Sequence, residues 1–185
     1  MSGGIGPPPG WQAGGSVIDF SGLYRAHAAD VHRFVLFLSG DRELAEDLVS
    51  ETFIRLWNAR ARVELVTVRA YLFAIARNLH LQYLRGRKPR APLDDEIADA
   101  RPGPAARALA RDELATTLAA LQTLPEMDRA ALLMRAGDDL SYEEIAAALG
   151  LTPTAARVKV HRARLKLFQI RDAAATPPTA MENRR

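Results

Sequence analysis

The chain of 185 residues is long enough for one ordinary domain or two small ones, and its hydrophobic content of 48% is ample for packed cores. It contains no cysteine, which excludes disulfides and thiolate metal sites, and no apolar run follows an N-terminal basic segment, so no secretory signal is predicted. Charged residues interrupt every hydrophobic stretch before it reaches the ~20 residues that span a bilayer. We therefore expect a cytoplasmic globular protein without membrane insertion.

The formal net charge of +3 conceals three strongly charged segments. Residues 41–51 hold five acids against a single arginine. Residues 77–90 and 154–171 hold five and six basic residues, respectively, and no acid. One acidic and two basic segments indicate a protein partner together with a polyanion.

Composition divides the chain into two domains, a linker and two tails. Residues 1–17 are rich in glycine and proline and bury too little apolar surface to offset their ordering entropy, so they are predicted to be a disordered tail. Residues 172–185 are predicted to be a second tail. Prolines and acids between residues 89 and 106 predict a flexible linker. Two helical domains, residues 18–88 and 107–171, flank this linker.

Apolar residues of the first domain recur at three- and four-residue spacing, which predicts three helices. The first helix ends at Gly40, and Asp41 caps the second, whose buried stripe runs to Trp57. The third spans about residues 68–87. No segment alternates with the strand period over a useful length, so the fold is predicted to be all-α.

The second domain has the layout of a helix-turn-helix. Ser141 and Glu144 have the spacing of a capping box that starts a short helix, and Gly150 ends that helix. Pro153 then opens a last, basic helix. The residues of this helix that are predicted to face the core are Val158, Leu165 and Phe168. A short helix, a turn with glycine and a basic helix are typical of DNA binding through the major groove.

Polar side chains of the last helix are candidates for contact with duplex DNA. Early side chains of such a helix reach base edges, and later basic ones neutralise phosphates. The candidates are Thr154, Arg157, Lys159, His161, Arg162 and Arg164. For an isolated basic helix a solvated surface is the commoner interpretation, but the preceding capped helix and turn favour DNA binding.

Two features of the first domain leave their interpretation open. Glu43, Asp47 and Glu51 are spaced four apart and form one stripe, whose like charges repel each other by a few tenths of a kcal/mol per pair. A cationic partner surface and chance are equally good explanations of this stripe. The third helix combines basic and amide groups with Phe73 and Tyr83, a set that suits single-stranded nucleic acid, although burial in the core is the commoner role for such rings.

The chain carries four motifs in a fixed order: DLVSETFIRLW at residues 47–57, AYLFAIARNL at 70–79, SYEEIAAALG at 141–150 and VHRAR at 160–164. Together they resemble the extracytoplasmic-function (ECF) sigma factors of the sigma-70 family, which direct RNA polymerase to promoters. The resemblance covers residues 20–168. It implies that the first domain is sigma region 2 and that the second is sigma region 4.

The resemblance also implies residue roles. The acidic stripe would dock on the clamp helices of the largest polymerase subunit through Glu43, Asp47 and Glu51. Region 2 would capture and melt the −10 element, and the implied residues are Asn58, Arg60, Arg62, Arg77, Asn78 and His80. The last helix would read the −35 element in duplex DNA. Further implied partners are the polymerase flap and a cognate anti-sigma factor.

Two other classes of protein account for the sequence less well. A polymerase-independent helix-turn-helix regulator would account for the second domain but would leave the acidic stripe without a use. An enzyme would need a phosphate-binding glycine loop or clustered ligands, whereas the four histidines are scattered along the chain. We therefore expect no catalytic residues, no metal and no cofactor.

Overall fold

A computed structural model describes residues 12–13, 16–17, 20–58, 68–86, 104–137 and 139–175. Within these ranges the elements are β1 (Gln12–Ala13), β2 (Ser16–Val17), α1 (Phe20–Ser39), α2 (Arg42–Asn58), α3 (Val68–Gly86), α4 (Pro104–Gln122), α5 (Glu126–Ala136), α6 (Tyr142–Leu149) and α7 (Pro153–Ala175). The predicted all-α fold class, with a helix-turn-helix at α6–α7, is confirmed. Two of the predicted DNA-contacting residues, Arg60 and Arg62, lie outside the described residues, as do most of the linker and of both tails.

The described part of the N-terminal segment contains a short antiparallel strand pair. Gln12 lies opposite Val17, and Ala13 lies opposite Ser16. Two strands of two residues each are too short to produce an alternating pattern, so periodicity could not detect them. The second domain was expected to start at residue 107, but α4 begins three residues earlier, at Pro104. Proline is well suited to the first turn of a helix.

The first domain is a bundle of α1, α2 and α3 around an aromatic core. The rings of Phe34 and Phe73 are stacked with centroids 4.7 Å apart, so Phe73 belongs to the core. The predicted stripe of α2 is buried, and its buried members are Leu44, Ala45, Leu48, Val49, Thr52, Phe53 and Leu56. Trp57 at the end of the stripe is half-buried, with its ring edge-on to Phe20 at 5.0 Å.

The turn between α1 and α2 is formed as the sequence predicts. Gly40 has a positive φ of 75°, a conformation that a residue without Cβ adopts at little cost. Asp41 Oδ1 accepts a hydrogen bond of 2.9 Å from the Leu44 amide and thereby caps α2. The turn directs α2 back along α1, so their apolar faces meet.

Helix α6 is bounded by side chains and a glycine. The Ser141 hydroxyl accepts a hydrogen bond of 3.2 Å from the Glu144 amide, and the Glu144 carboxylate accepts one of 2.7 Å from the Ser141 amide. Gly150 ends the helix with a positive φ of 67°. Thr152 then caps α7 by accepting from the Ala155 amide at 3.2 Å. The capping box and the turn are confirmed, and they fix the angle between α6 and α7.

Helix α7 is rotated relative to the sequence prediction. Val158, Leu165 and Phe168, predicted to face the core, are 42%, 49% and 56% exposed. The residues that do face the core are Ala156, Val160, Ala163 and Leu167. Both sets have helical spacing, and the predicted set has the larger side chains. Alanine has little apolar surface to signal burial, yet its small size lets α7 approach α5 closely.

The two domains pack against each other. Helix α3 lies against α6 and α5, and α1 lies against α4 and α5. Gln122 Nε2 at the end of α4 donates to the Phe37 carbonyl at 3.3 Å, which joins the domains through a main-chain group. The molecule is thus in a closed arrangement, by which we mean that the two domains are in contact. In this arrangement α5 and α6 of the second domain cover part of α3.

Within the described ranges, no helix is both long enough and apolar enough to cross a membrane. No group of three or more His, Cys, Asp or Glu side chains in those ranges is placed to hold a metal ion.

Candidate polymerase and nucleic-acid interfaces

The acidic stripe of α2 (Glu43, Asp47 and Glu51) faces away from the core of the first domain. Glu43 and Asp47 are exposed, and Glu51 is half-buried. Arg55 Nε, one turn further along α2, donates to Glu51 Oε1 at 2.9 Å. The stripe therefore presents carboxylates to solvent, and the one nearest the helix C-terminus is partly neutralised by an arginine of the same helix.

A cavity of about 480 Å³ opens between α2 and α3. Its lining residues are Arg55, Asn58, Tyr71, Ile75, Asn78, Gln82 and Arg85. Two of these, Asn58 and Asn78, were predicted to contact the −10 element. Amide, guanidinium and aromatic groups together can hydrogen-bond the edge of a nucleobase and stack on its face. We call this feature the α2–α3 cavity.

Sequence reasoning missed the contribution of Arg55 to this cavity. Arg55 Nη2 donates to Gln82 Oε1 at 3.1 Å, so the arginine spans the cavity from α2 to α3. It lies three residues before Asn58, a spacing that places both side chains on one helix face. That spacing could have identified Arg55.

Arg77 lies at the interface between the domains, not on an open surface. Its Nε and Nη2 donate to Glu126 Oε1 and Oε2 of α5, both at 2.7 Å, in a bidentate ion pair. Only 7% of Arg77 is exposed. In the closed arrangement this predicted −10 residue is engaged by the second domain and is not accessible to DNA.

His80 is also enclosed at the domain interface. It is 2% exposed, and neither ring nitrogen has a hydrogen-bond partner among the described residues. Burial, together with the positive charge of Arg129, lowers the pKa of His80 below its ordinary value of 6.5. Arg129 Nη1 is held in place by Oε1 of the Gln122 side chain, to which it donates at 2.6 Å. The closed arrangement therefore favours a neutral imidazole that DNA cannot reach.

An apolar groove of about 440 Å³ lies where α1, α4, α5 and α7 meet. The apolar side chains that line it are Phe34, Phe37, Leu121, Leu132, Leu133 and Leu167. Because these residues come from both domains, the groove exists only while the domains are packed together.

Helix α7 presents most of its predicted DNA-contacting side chains to solvent. The exposed ones are Thr154, Arg157, His161, Arg162 and Arg164, which we call the recognition face. Lys159 differs, because its Nζ donates to Asp128 Oδ1 of α5 at 3.1 Å. The structure thus brings five of the six predicted side chains to one accessible helix and directs the sixth toward the domain interior.

Comparison with known proteins divides the chain as the structure does. Residues 23–90 match the family "Sigma-70 region 2", and residues 115–167 match "Sigma-70, region 4". The ECF RNA polymerase sigma factor EcfG of Rhodopseudomonas palustris is 33% identical over 147 residues, which cover 77% of this chain and 79% of EcfG. The chain belongs to the ECF sigma factors of the sigma-70 family. It is accordingly an RNA polymerase sigma factor.

Other relatives of this sigma factor differ in length. CarQ of Myxococcus xanthus is 32% identical over 153 residues, covering 82% of this chain and 88% of CarQ. SigE of Mycolicibacterium smegmatis is 37% identical over 152 residues, covering 78% of this chain. The present chain spans 58% of that relative's length.

Two solved structures share the fold of this sigma factor. CnrH in complex with the cytosolic domain of CnrY has a TM-score of 0.64 and 26% identity, over 83% of this chain and 88% of CnrH. RpoE of Bartonella quintana, in complex with the anti-sigma factor NepR, has a TM-score of 0.66 and 24% identity, over 83% of this chain and 97% of RpoE. In the present chain the acidic stripe and the α2–α3 cavity lie in region 2, and the recognition face lies in region 4.

Proposed function

We propose that this sigma factor binds core RNA polymerase through the acidic stripe, captures the −10 element with region 2 and reads the −35 element with region 4. The observation that carries the proposal is an exposed acidic stripe on α2 and an exposed basic face on α7 in one chain, in the family's order. The protein's role is recognition and assembly, while phosphodiester chemistry belongs to the polymerase. Because its targets are promoters, we place it in the cytoplasm.

The acidic stripe supports docking on a cationic surface, the clamp helices of the largest polymerase subunit. Exposed carboxylates on a helix that is itself anchored by a buried stripe form a rigid, pre-organised patch. Complementary charge raises the rate of encounter and sets the orientation of docking. We assign this contact to Glu43, Asp47 and Glu51.

Region 2 is proposed to hold unpaired bases of the −10 element at the α2–α3 cavity. Asn58 and Asn78 line that cavity, where their amides can read a base edge. Arg77 and His80, the other predicted contacts in α3, face region 4 in the closed arrangement. Their use in promoter binding therefore requires the two domains to separate. Arg60 and Arg62 complete the proposed set from the segment before α3.

Region 4 is proposed to place α7 in the major groove of the −35 element. The capping box and the turn at Gly150 fix α6 across the start of α7, the layout that presents early side chains to base edges. Arg157, His161 and Arg162 are the proposed base-contacting residues, and Thr154 and Arg164 flank them. The exposed apolar side chains of the same helix are available for the polymerase flap.

We also propose that a cognate anti-sigma factor binds this protein. CnrH, whose fold this chain shares, is solved with the cytosolic domain of CnrY. The apolar groove between the domains supports the proposal, since a partner seated there would stabilise the closed arrangement. Such a partner would keep Arg77 and His80 away from DNA.

The alternative is a helix-turn-helix regulator that binds duplex DNA without polymerase. A pull-down of core RNA polymerase by the purified protein separates the two functions. We expect stable binding by the wild type and at least tenfold weaker binding, about 1.4 kcal/mol, by D47K/E51K. The matched control is E46K, which reverses an exposed charge on the same helix outside the stripe.

Absence of polymerase binding by the wild type would favour the DNA-binding regulator. An equal loss of polymerase binding in E46K and D47K/E51K would indicate a general charge effect and would contradict the assignment of polymerase docking to the acidic stripe.

A further inference from the structure

The guanidinium of Arg157 lies over an aromatic ring of the preceding helix. Its central carbon lies 4.9 Å from the centroid of the Tyr142 ring, within the range of a cation–π contact. Tyr142 is the first residue of α6, and Arg157 lies in the second turn of α7. The contact therefore bridges the two helices of the helix-turn-helix at the end where α7 begins.

The Tyr142 ring is a fixed platform. It is half-buried and packs against the core of region 4. A second guanidinium, that of Arg135, also lies over the ring, at 5.3 Å, and is itself held by the Leu140 carbonyl at 2.8 Å. The capping box at Ser141 fixes the backbone immediately before Tyr142. Few rotamers of Tyr142 are compatible with all of these contacts.

The contact with the Tyr142 ring leaves N–H donors of Arg157 available for a partner. Arginine commonly stacks flat on an aromatic face, and in that geometry its N–H donors lie in the guanidinium plane and point outward. Within the described residues Arg157 donates no hydrogen bond and joins no ion pair. Two parallel N–H donors in a fixed plane match the O6 and N7 acceptors of guanine in the major groove.

We infer that Tyr142 is a specificity-determining positioning residue, which holds the Arg157 guanidinium in the plane needed for bidentate contact with a guanine of the −35 element. The inference rests on the proposed function of region 4. Tyr142 acts through Arg157 and reads no base itself. The stack restricts an exposed arginine before binding, so less side-chain freedom is lost when the base contact forms.

Single-round run-off transcription tests this role. The full-length chain and core polymerase are used on templates that share one −10 element and differ at single −35 base pairs. Arg157→Ala should abolish a preference of about 5- to 150-fold at one G·C pair, which identifies the pair that Arg157 reads. Tyr142→Leu should reduce the preference at that same pair by about 2- to 30-fold. Tyr142→Phe, which keeps the ring, should retain it.

A double-mutant cycle distinguishes positioning from a general structural effect. At the pair that Arg157 reads, Y142L/R157A should be no worse than R157A alone. The matched control is Y142L/R162A, in which the two losses should multiply. Arg162 is exposed on α7, and among the described residues it is Arg135 and Arg157 that lie over the Tyr142 ring. If Y142L proves unfolded in a urea titration, Y142M replaces it, since methionine fills irregular core space well.

Each of the following results would overturn the inference: a wild-type base preference in Y142L, an equal loss of transcription by Y142L at every base pair, or multiplying losses in Y142L/R157A. If R157A alters no preference while the wild type still initiates at promoters, the inference fails and the proposed function stands. Absence of promoter-specific transcripts from the wild type would refute both.

Discussion

The ammonium group of Lys159 joins two helices of region 4. It donates to Asp128 Oδ1 at 3.1 Å, and the two side chains are only 24% and 11% exposed. Asp128 lies in the first turn of α5, where the helix dipole also favours a carboxylate. A pair so little exposed is weakly screened by salt. A basic residue of the recognition helix thus contributes to the fold of its domain.

We expect Lys159→Ala to lower the free energy of unfolding by about 1–3 kcal/mol, because it leaves Asp128 as a largely buried carboxylate without its partner. Urea denaturation followed by circular dichroism measures this change. Lys166→Ala, on the exposed side of α7, is the control and should change stability by less than about 0.5 kcal/mol. Equal effects of the two substitutions would contradict a structural role for Lys159.

The imidazole of His80 is surrounded by charged groups of both domains. Arg129 and Glu126 face it from α5, Arg77 comes from its own helix, and Asp41 lies at the start of α2. Burial and the two arginines outweigh the acids and lower the pKa of His80. The unfolded chain therefore binds a proton more readily than the folded chain. It follows that His80 contributes to the stability of the closed molecule only while it is neutral.

The lowered pKa of His80 predicts that the free energy of unfolding depends on pH. The contribution of His80 should be fully present above the ordinary histidine pKa of 6.5. It should decrease as the pH falls below that value, because the unfolded state then takes up a proton that the folded state does not. Urea titrations at a series of pH values between about 7.5 and about 5.5 measure the slope. His80→Gln should flatten it. If H80Q kept the wild-type slope of the free energy of unfolding against pH, the titrating group would be another residue.

At the scale of elements, α6 owes its definition to the residues at its ends. It has only eight residues, and isolated helices of that length are marginal in water. The reciprocal hydrogen bonds of Ser141 and Glu144 satisfy amide donors at its start, and the left-handed Gly150 ends it. These local signals are strong enough that α6 could be predicted from the sequence alone.

We expect Ser141→Ala to destabilise the protein by about 0.5–2 kcal/mol through loss of the cap. The matched control is Ser50→Ala, which removes an exposed hydroxyl from the interior of α2, where alanine is the better helix former. Guanidinium unfolding of both variants gives the comparison. A cost for S50A equal to that for S141A would show that the cap contributes nothing specific.

The elements differ in how far the sequence predicts them. The stripe of α2 consists of large apolar residues on one face, so its burial followed directly from spacing. In α7 the buried face contains Ala156 and Ala163, whereas larger residues such as Phe168 are exposed. Hydrophobicity favoured the wrong face, because close packing of α7 on α5 selects small side chains there.

At the scale of the whole molecule, a largely buried ion pair joins the two regions. Arg77 and Glu126 form two hydrogen bonds of 2.7 Å across the interface, beside the buried His80. Removing one partner of such a pair costs more than the pair itself contributes, because the remaining charge stays buried. The closed arrangement should therefore be sensitive to Glu126.

Glu126→Ala should shift the protein toward a separated arrangement of its two regions, because the unpaired guanidinium of Arg77 is hydrated only when the regions separate. Fluorescence energy transfer between labels at A29C and Q169C measures the distance between α1 and α7, and the chain has no cysteine of its own. We expect lower transfer in E126A. Glu143→Ala, which removes an exposed glutamate from α6, should leave it unchanged. Unchanged transfer in E126A would show that the ion pair does not hold the regions together.

This closed arrangement could not be predicted from the sequence. Helices, caps and motif order leave local signals, whereas a contact between Arg77 and Glu126 spans 49 positions and has no periodic signature. The family resemblance, on a helix that combines basic and amide groups, predicted that Arg77 and His80 contact the promoter. Tertiary packing buries both, while Asn58 and Asn78 of the same predicted set line the α2–α3 cavity.

The central claim is that one chain couples polymerase binding to recognition of two promoter elements. Run-off transcription by core RNA polymerase with the purified protein, on a library with randomised promoter DNA, tests it most directly. We predict that transcribed templates share two sequence elements, near −10 and −35, at a fixed spacing. Transcription no higher than that of core polymerase alone, or enrichment of a single element, would contradict the claim.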